Sequence, residues 1–322
     1  MDRKTFLQAA LSVAVTGGLV TNQAHAEKTT VSFGAADRKL LTGTIDLHIH
    51  AAPDTKARLG SELDFARQAK EAGMRGVMFK SNDFACHDRA YLIREMLPDF
   101  ETFGSICMND VVGDKVNVVA ARKALNTTGN LCRCIWMPTQ NARYQVQTFR
   151  QKQSIIDVTD ASGKLLPEVV AVMELCAEHD IIFASGHSSS EETLLMAKEA
   201  KAVGLKKFVA THVNSSIWTL TPRQIETVVD AGGWVELSFL TNLWGPGTGL
   251  PDYERLSDKA FCELLSVAPE KSFVSTDLGQ VAMPSPVEGM LAAIKAMEVY
   301  GFDTATIKRV TADNPAHLVG LE

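Results

Sequence analysis

Thr44-Ile45-Asp46-Leu47-His48-Ile49-His50 reads as a short strand ending in two histidines. Side chains alternate across a strand, so both imidazoles face one side while Leu47 and Ile49 face the other. Runs of the same kind recur along the chain at Gly76 to Lys80, Thr102 to Met108, Leu131 to Met137, Ile181 to His187, Lys207 to His212, Trp234 to Phe239 and Ser272 to Asp277. With the first, that makes eight. Most are apolar on both faces, which suits parallel strands covered by helices.

Helical patterns with readable ends lie between the runs. Ser61 and Asp64 form a capping box ahead of Leu63, Phe65, Ala66 and Ala69, and Gly73 stops that helix. Pro167 opens another, and Thr221-Pro222 supplies an N-cap and a first-turn proline for a segment that Gly232 closes. Eight strands alternating with helices predict an α/β fold of the (β/α)8 TIM-barrel type, as one domain over 27–322. An open doubly wound sheet is the competing architecture, but no Gly-rich phosphate fingerprint follows the first strand. Two connections are long: Thr139 to Leu166, with a turn at Asp160-Ala161-Ser162-Gly163-Lys164, and Thr241 to Ser257, rich in Gly and Pro around Trp244. Both leave C-terminal strand ends, where barrels build their sites, so both are candidate pocket walls.

Composition narrows the partners. The 322 residues are 46% hydrophobic and 22% charged, and the net charge of −6 is spread without a basic block. Nucleic acid is therefore not expected as a partner. Residues 1–26 read as an export signal: Asp2-Arg3-Lys4, an apolar stretch from Phe6 to Val20, and a small-x-small site at Ala24-His25-Ala26. The order Arg3-Lys4-Thr5-Phe6-Leu7 resembles a variant twin-arginine signal. A periplasmic or secreted protein starting near Glu27 is expected, with no membrane insertion after cleavage, since no later apolar run approaches the ~20 residues a bilayer requires. A homo-oligomer is compatible with this reading. Of six cysteines, Cys107, Cys132, Cys134 and Cys176 sit in apolar runs and read as core, whereas Cys86, beside His87 and Asp88 in a polar loop, reads as an exposed loop thiol, inert as such thiols usually are or else reactive or ligand-contacting.

The chemistry is expected where strands end. The fifth run finishes in Ser185-Gly186-His187, the sixth in Ala210-Thr211-His212 and the eighth in Ser275-Thr276-Asp277. One such histidine is ordinarily a core residue bonded to a carbonyl. Four histidines and an aspartate at the same end of four strands point to a metal site, because burying so many polar groups without partners is costly.

This pattern resembles the amidohydrolase superfamily: His-x-His after strand 1, histidines after strands 5 and 6, aspartate after strand 8. The resemblance spans nearly the whole mature chain, including the ending Thr311-Ala312-Asp313-Asn314-Pro315-Ala316-His317. It implies that His48, His50 and Asp277 bind one divalent ion and that His187 and His212 face a second. Zinc suits these ligands, with manganese, iron or nickel as alternatives. It further implies a metal-activated water attacking an amide, lactone, ester or related bond of a small molecule, with Asp277 handling the proton.

One departure stands out. The fourth run, Cys134-Ile135-Trp136-Met137-Pro138-Thr139, offers no lysine or glutamate to bridge two ions, while Lys80 ends the second run. A poorly characterised branch of the superfamily is similar here and in its later Asp277-Leu278-Gly279-Gln280. Lys80 is left as a carbamylated bridging ligand, a substrate contact, or a lysine reaching solvent. The candidate catalytic residues are thus Asp277, His212 and Lys80, and the candidate metal ligands His48, His50, Lys80, His187, His212 and Asp277. Weaker candidates are Glu236, facing the pocket or held structurally; Asp46, one layer below the histidines, packing against or orienting them; Asn82, Asp83, His87 and Asn214, in loops after strand ends; and Arg143 and Arg150. Two other functions remain open at this point: a single-metal decarboxylase on the same ligand set, and a non-catalytic exported binding protein on the same barrel.

Overall fold

The computed structural model describes residues 33–321, so the predicted export signal at 1–26 lies outside the described residues. Eight strands form one sheet in the order β1 to β8: β1 Ile45–Ile49, β2 Gly76–Phe79, β3 Glu101–Cys107, β4 Cys132–Trp136, β5 Ile182–Ala184, β6 Phe208–Ala210, β7 Trp234–Ser238 and β8 Ser272–Ser275. Every neighbouring pair is parallel. All eight runs read from the sequence are strands, and the fold is the (β/α)8 barrel.

The seam between β8 and β1 closes just beyond the regular ladder. Asp277 N–H donates to the His48 carbonyl at 2.8 Å, and His50 N–H to the Leu278 carbonyl at 2.8 Å. Asp46 Oδ1 takes the Thr276 N–H at 3.0 Å, so a side chain stands in for a ladder acceptor. Barrel closure itself therefore brings Asp277 beside the His-x-His pair.

Apolar residues divide between two layers. Ile45, Leu47, Met78, Phe103, Cys134, Trp136, Val209 and Phe273 fill the barrel interior, and the C-terminal helix Asn314–Val319 plugs its floor with Ala316, Leu318 and Val319. A second layer, including Phe65, Phe79, Phe183, Phe208 and Phe261, lies between sheet and helices. Each such side chain contributes roughly 1.5–3 kcal/mol when fully buried. The predicted caps are present. Ser61 and Asp64 form the reciprocal capping box of Glu62–Ala72, with Gly73 left-handed at its end. Pro167 opens Pro167–Glu178, and Thr221 caps Pro222–Asp230. In the long β4 connection, Thr159 pairs antiparallel with Leu165 around the expected turn. No helix of the described residues is long and apolar enough to cross a membrane.

Cys86 departs from expectation. It is fully buried, its thiol donates to the Phe79 carbonyl at 2.9 Å, and burial pushes its pKa far up. The chain folds back over β3 there, and Gly104, whose added Cβ would lie 2.4 Å from the Cys86 carbonyl carbon, permits the approach. Cys86 is core, like Cys107, Cys132, Cys134 and Cys176.

Candidate metal centre

His48 and His50, two residues apart, share the interior face and are almost completely buried, while a register irregularity in β1 between Asp46 and Ile49 lets Leu47 pack inside as well, contrary to the strict alternation expected. Their Nε2 atoms each lie 3.1 Å from Asp277 Oδ1. Ligand atoms of His48, His50 and Asp277 all fall within 4.8 Å of one another, a spacing one ion can span. Asp277 adopts φ +55° and His212 φ +32°, left-handed conformations rare outside glycine. Such backbone strain persists where the surroundings over-determine it, and sites with a chemical task are where it collects. Gly279, at φ +124°, keeps the next turn against β1, because a Cβ there would sit 1.5 Å from the His50 carbonyl oxygen.

Lys80 leaves the end of β2 and reaches inward, with its side chain buried. Its Nζ is 3.0 Å from His48 Nε2 and 4.3 Å from the centre of the Trp136 ring. The solvent-reaching alternative for Lys80 is thus overturned: an aromatic face and an imidazole receive its head group.

Glu236, on β7, is the hub of the buried network. Its Oε1 accepts from His48 Nδ1 at 2.7 Å and from Ser275 Oγ at 2.7 Å, and its Oε2 accepts from the His212 N–H at 3.1 Å. The carboxylate ties together the ends of β1, β6 and β8. It fixes the proton of His48 on Nδ1 and turns Nε2 toward Asp277, as metal-bound imidazoles require. Asp46 does not orient an imidazole. It accepts the backbone N–H of His48 at 3.1 Å and the donors of Thr276, so it holds the seam instead.

His187 and His212 lie beside the trio, with their rings 5.0 Å apart and His212 6.1 Å from His48. Gln145 Oε1 receives His187 Nδ1 at 3.2 Å, the same orientation device that Glu236 provides for His48. His212 Nδ1 is buried with no partner among the described residues. Trp218 covers both rings, at 4.0 Å from His187 and 4.5 Å from His212.

The charges follow from this packing. Burial opposes a charge on His48, but Asp277 and Glu236, one at each ring nitrogen, overcome it and raise its pKa. Burial, then the charge of Arg58, pushes His50 down to about 3. Burial lowers His187 well below the usual range and His212 to about 4. Burial would raise Asp277, but His48 and His50 hold it well below the ordinary carboxylate range. Burial alone lifts Asp46 to about 7 against its hydrogen bonds. His50, His187 and His212 are thus held neutral beside an ionised carboxylate, the protonation states a divalent ion needs, whereas His48, whose charged form its two carboxylate neighbours favour, must release the Nε2 proton to bind one.

The donor set fits such an ion in all but two contacts. An ion held at His48 Nε2 lies next to Lys80 Nζ, which must then be neutral, carbamylated or displaced. An ion held through His50 Nε2 puts the remaining ring proton on Nδ1, opposite Arg58 Nη2 at 3.3 Å. Arg58 is itself gripped by Asp54 at 2.9 and 3.0 Å, so it has an acceptor to fall back on.

Several weaker candidates are occupied elsewhere. Asn214 spends its amide on the backbone of Ser238 and on Thr241, pinning two loops. His87 Nε2 meets Thr127 Oγ1 at 3.1 Å. Asn82 accepts from Thr139, and Asp83 from Thr55. Arg143 pairs with Asp157, and Arg150 is an exposed turn residue at φ +50°. Arg58, Trp136, Gln145 and Trp218 were not singled out from sequence. The Asp54 to Arg58 spacing and the place of Trp136 at the inward end of β4 were legible signals. For Trp218, in an irregular loop, there was none.

The fold has counterparts among solved structures. The chain is similar to an amidohydrolase from Pseudomonas aeruginosa, with TM-score 0.57 and 11% identity over 88% of this chain and 99% of that one. A Deinococcus radiodurans PTE-like lactonase variant gives 0.55 and 12% over 87% and 97%. The metallopeptidase dipeptidase AC gives 0.55 and 13% over 86% and 98%. At these identities the likeness is one of fold. The chain belongs to the family of unknown function DUF6282, whose profile matches residues 43–236. That match contains His48, His50, Lys80, His187, His212 and Glu236 but stops before Asp277. No curated protein matches the sequence.

Proposed function

We propose that this chain is an exported metal-dependent hydrolase that cleaves an amide, lactone, ester or related bond of a small molecule. The observation that carries the reading is the convergence of His48 Nε2 and His50 Nε2 on Asp277 Oδ1 at 3.1 Å inside a barrel mouth. His48, His50 and Asp277 would hold one ion, with zinc the best match to two imidazoles and a carboxylate. Such an ion supplies Lewis acidity and a water acidic enough to ionise near neutral pH. The protein's own part is orientation and proton handling. Glu236 keeps the His48 proton on Nδ1. Asp277, at 14% the most exposed member of the trio, is placed to take a proton and return it to a leaving group. Trp136 packs on His48, and Trp218 on His187 and His212.

His187 and His212 would face a second ion, and Lys80 is the group placed to bridge, as a carbamate, or otherwise to contact substrate. Because only His48, His50 and Asp277 form a compact ligand group among the described residues, a one-ion centre is the second reading. It carries with it the decarboxylase alternative.

Metal analysis of the purified protein tests the proposal. The wild type is expected to hold one or two equivalents, lost in His48→Ala and Asp277→Ala, and to hydrolyse members of an amide, lactone and ester panel. Lys80→Ala lowers the content from two to one if Lys80 bridges. A wild type without bound ion refutes the assignment. The export part is tested by N-terminal sequencing of protein from the periplasmic fraction, with a start near Glu27 expected.

A further inference from the structure

Hydrogen-bonding capacity around the centre is unevenly spent. The carboxylates are engaged: Glu236 with His48, Ser275 and His212, Asp277 with His48 and His50, Asp54 with Arg58, and Asp83 with Thr55. Beside one acceptor, Gln280 Oε1, two indole donors are left over. The indole N–H groups of Trp218 and Trp136 are both buried and have no partner among the described residues. Lys80 makes one hydrogen bond among the described residues, to His48, out of the three its head group can donate.

Trp218 is also fixed in place. Its loop is closed at the base by Leu220 N–H donating to the Val213 carbonyl at 3.0 Å, and tied across the mouth by Tyr144 Oη donating to the Ile217 carbonyl at 3.0 Å. The indole therefore lies on the two imidazoles as part of a built wall. An indole N–H buried without an acceptor is costly, and a ligand oxygen that accepts from it recovers that cost.

Resting on the hydrolase reading above, we propose that Trp218 contacts the substrate, its indole N–H donating to an anionic oxygen, and that the substrate class is small molecules bearing a carboxylate or phosphoryl group beside the bond to be cleaved. A site with surplus donors and engaged carboxylates selects acceptor-rich anions and leaves cationic ligands without partners.

The experiment uses the zinc-loaded protein, with inorganic phosphate and acetate as separate probes, each followed by calorimetric titration and by tryptophan emission. The wild type is compared with Trp218→Phe, which keeps an aromatic ring over the histidines and removes only the donor. Trp234→Phe, at the opposite end of the barrel, is the control. Affinity for at least one probe is expected to fall about tenfold in Trp218→Phe, the loss of one hydrogen bond to a charged acceptor. The emission change on binding disappears with it, zinc content and melting temperature stay the same, and Trp234→Phe binds as the wild type does. Loss of acetate binding alone identifies a carboxylate, and of phosphate alone a phosphoryl group. Equal affinities in wild type and Trp218→Phe at equal zinc content overturn this inference alone, as does a zinc-loaded wild type that binds neither probe. A wild type that takes up no zinc overturns the hydrolase reading and this inference with it.

Discussion

Replacing Glu236 with glutamine changes one oxygen to an amide and leaves the volume almost constant, so its effects can be traced to hydrogen bonding. In the wild type, Oε1 serves His48 and Ser275 while Oε2 serves the His212 N–H, and both Glu236 and His48 are fully buried. Glutamine has a single acceptor oxygen. Whichever way it turns, an NH2 group faces a donor, either His212 N–H or His48 Nδ1. A buried donor left without an acceptor costs about 1–3 kcal/mol. For a domain of this size that lowers the melting temperature by roughly 2–6 °C, at about 2 °C per kcal/mol. A second consequence is chemical. With the carboxylate gone, the proton on His48 Nδ1 is less firmly held, and metal affinity is expected to fall about 10- to 100-fold, as for other orienting partners of metal-bound histidines. Calorimetric melts of the metal-free variant measure the first effect, and zinc competition against a chromophoric chelator the second. A Glu236→Gln variant with unchanged melting temperature and unchanged zinc affinity would refute the role assigned to Glu236.

Other expectations follow from the same contacts. Asp46 has a folded pKa of about 7, above its unfolded value of 3.8, so the folded state binds the extra proton between these limits and this contribution to stability is lost as pH rises through 7. Asp46→Asn keeps an acceptor for both backbone N–H groups and cannot ionise, so its melting temperature relative to wild type should climb between pH 5 and pH 8.5; a constant difference would show that Asp46 does not titrate there. Gly279→Ala drives a methyl into the His50 carbonyl in a backbone region hostile to alanine, and should destabilise the fold by several kcal/mol and abolish metal binding, as seen in melts and metal analysis. All six cysteines are buried, so a thiol reagent should label none within minutes in the folded protein and all six after denaturation; rapid labelling of Cys86 would contradict its place in the core.

Much of this molecule was legible in its sequence because its signals are local. Strand period and apolar content located all eight strands, Ser61 with Asp64 and Thr221 with Pro222 marked helix starts, and polar residues ending apolar runs drew attention to His48, His50, His187, His212 and Asp277. Local signals also misled. Cys86, His87 and Asn214 sit in polar stretches that look exposed, yet the chain folds over β3 and pins its loops there, and all three are buried and bonded within the protein.

What the sequence by itself determined is therefore the barrel and the residue types at its strand ends, since alternation, capping and apolar run length act over a few residues at a time. Only the tertiary structure decided who meets whom. Asp46 and Thr276 are 230 positions apart, and His48 and Glu236 are 188 apart. Barrel closure places Asp277 on the His-x-His pair, Lys80 against His48, and Trp218 over His187 and His212. No period or spacing encodes such contacts, because they arise when eight strands tilt and close on one another.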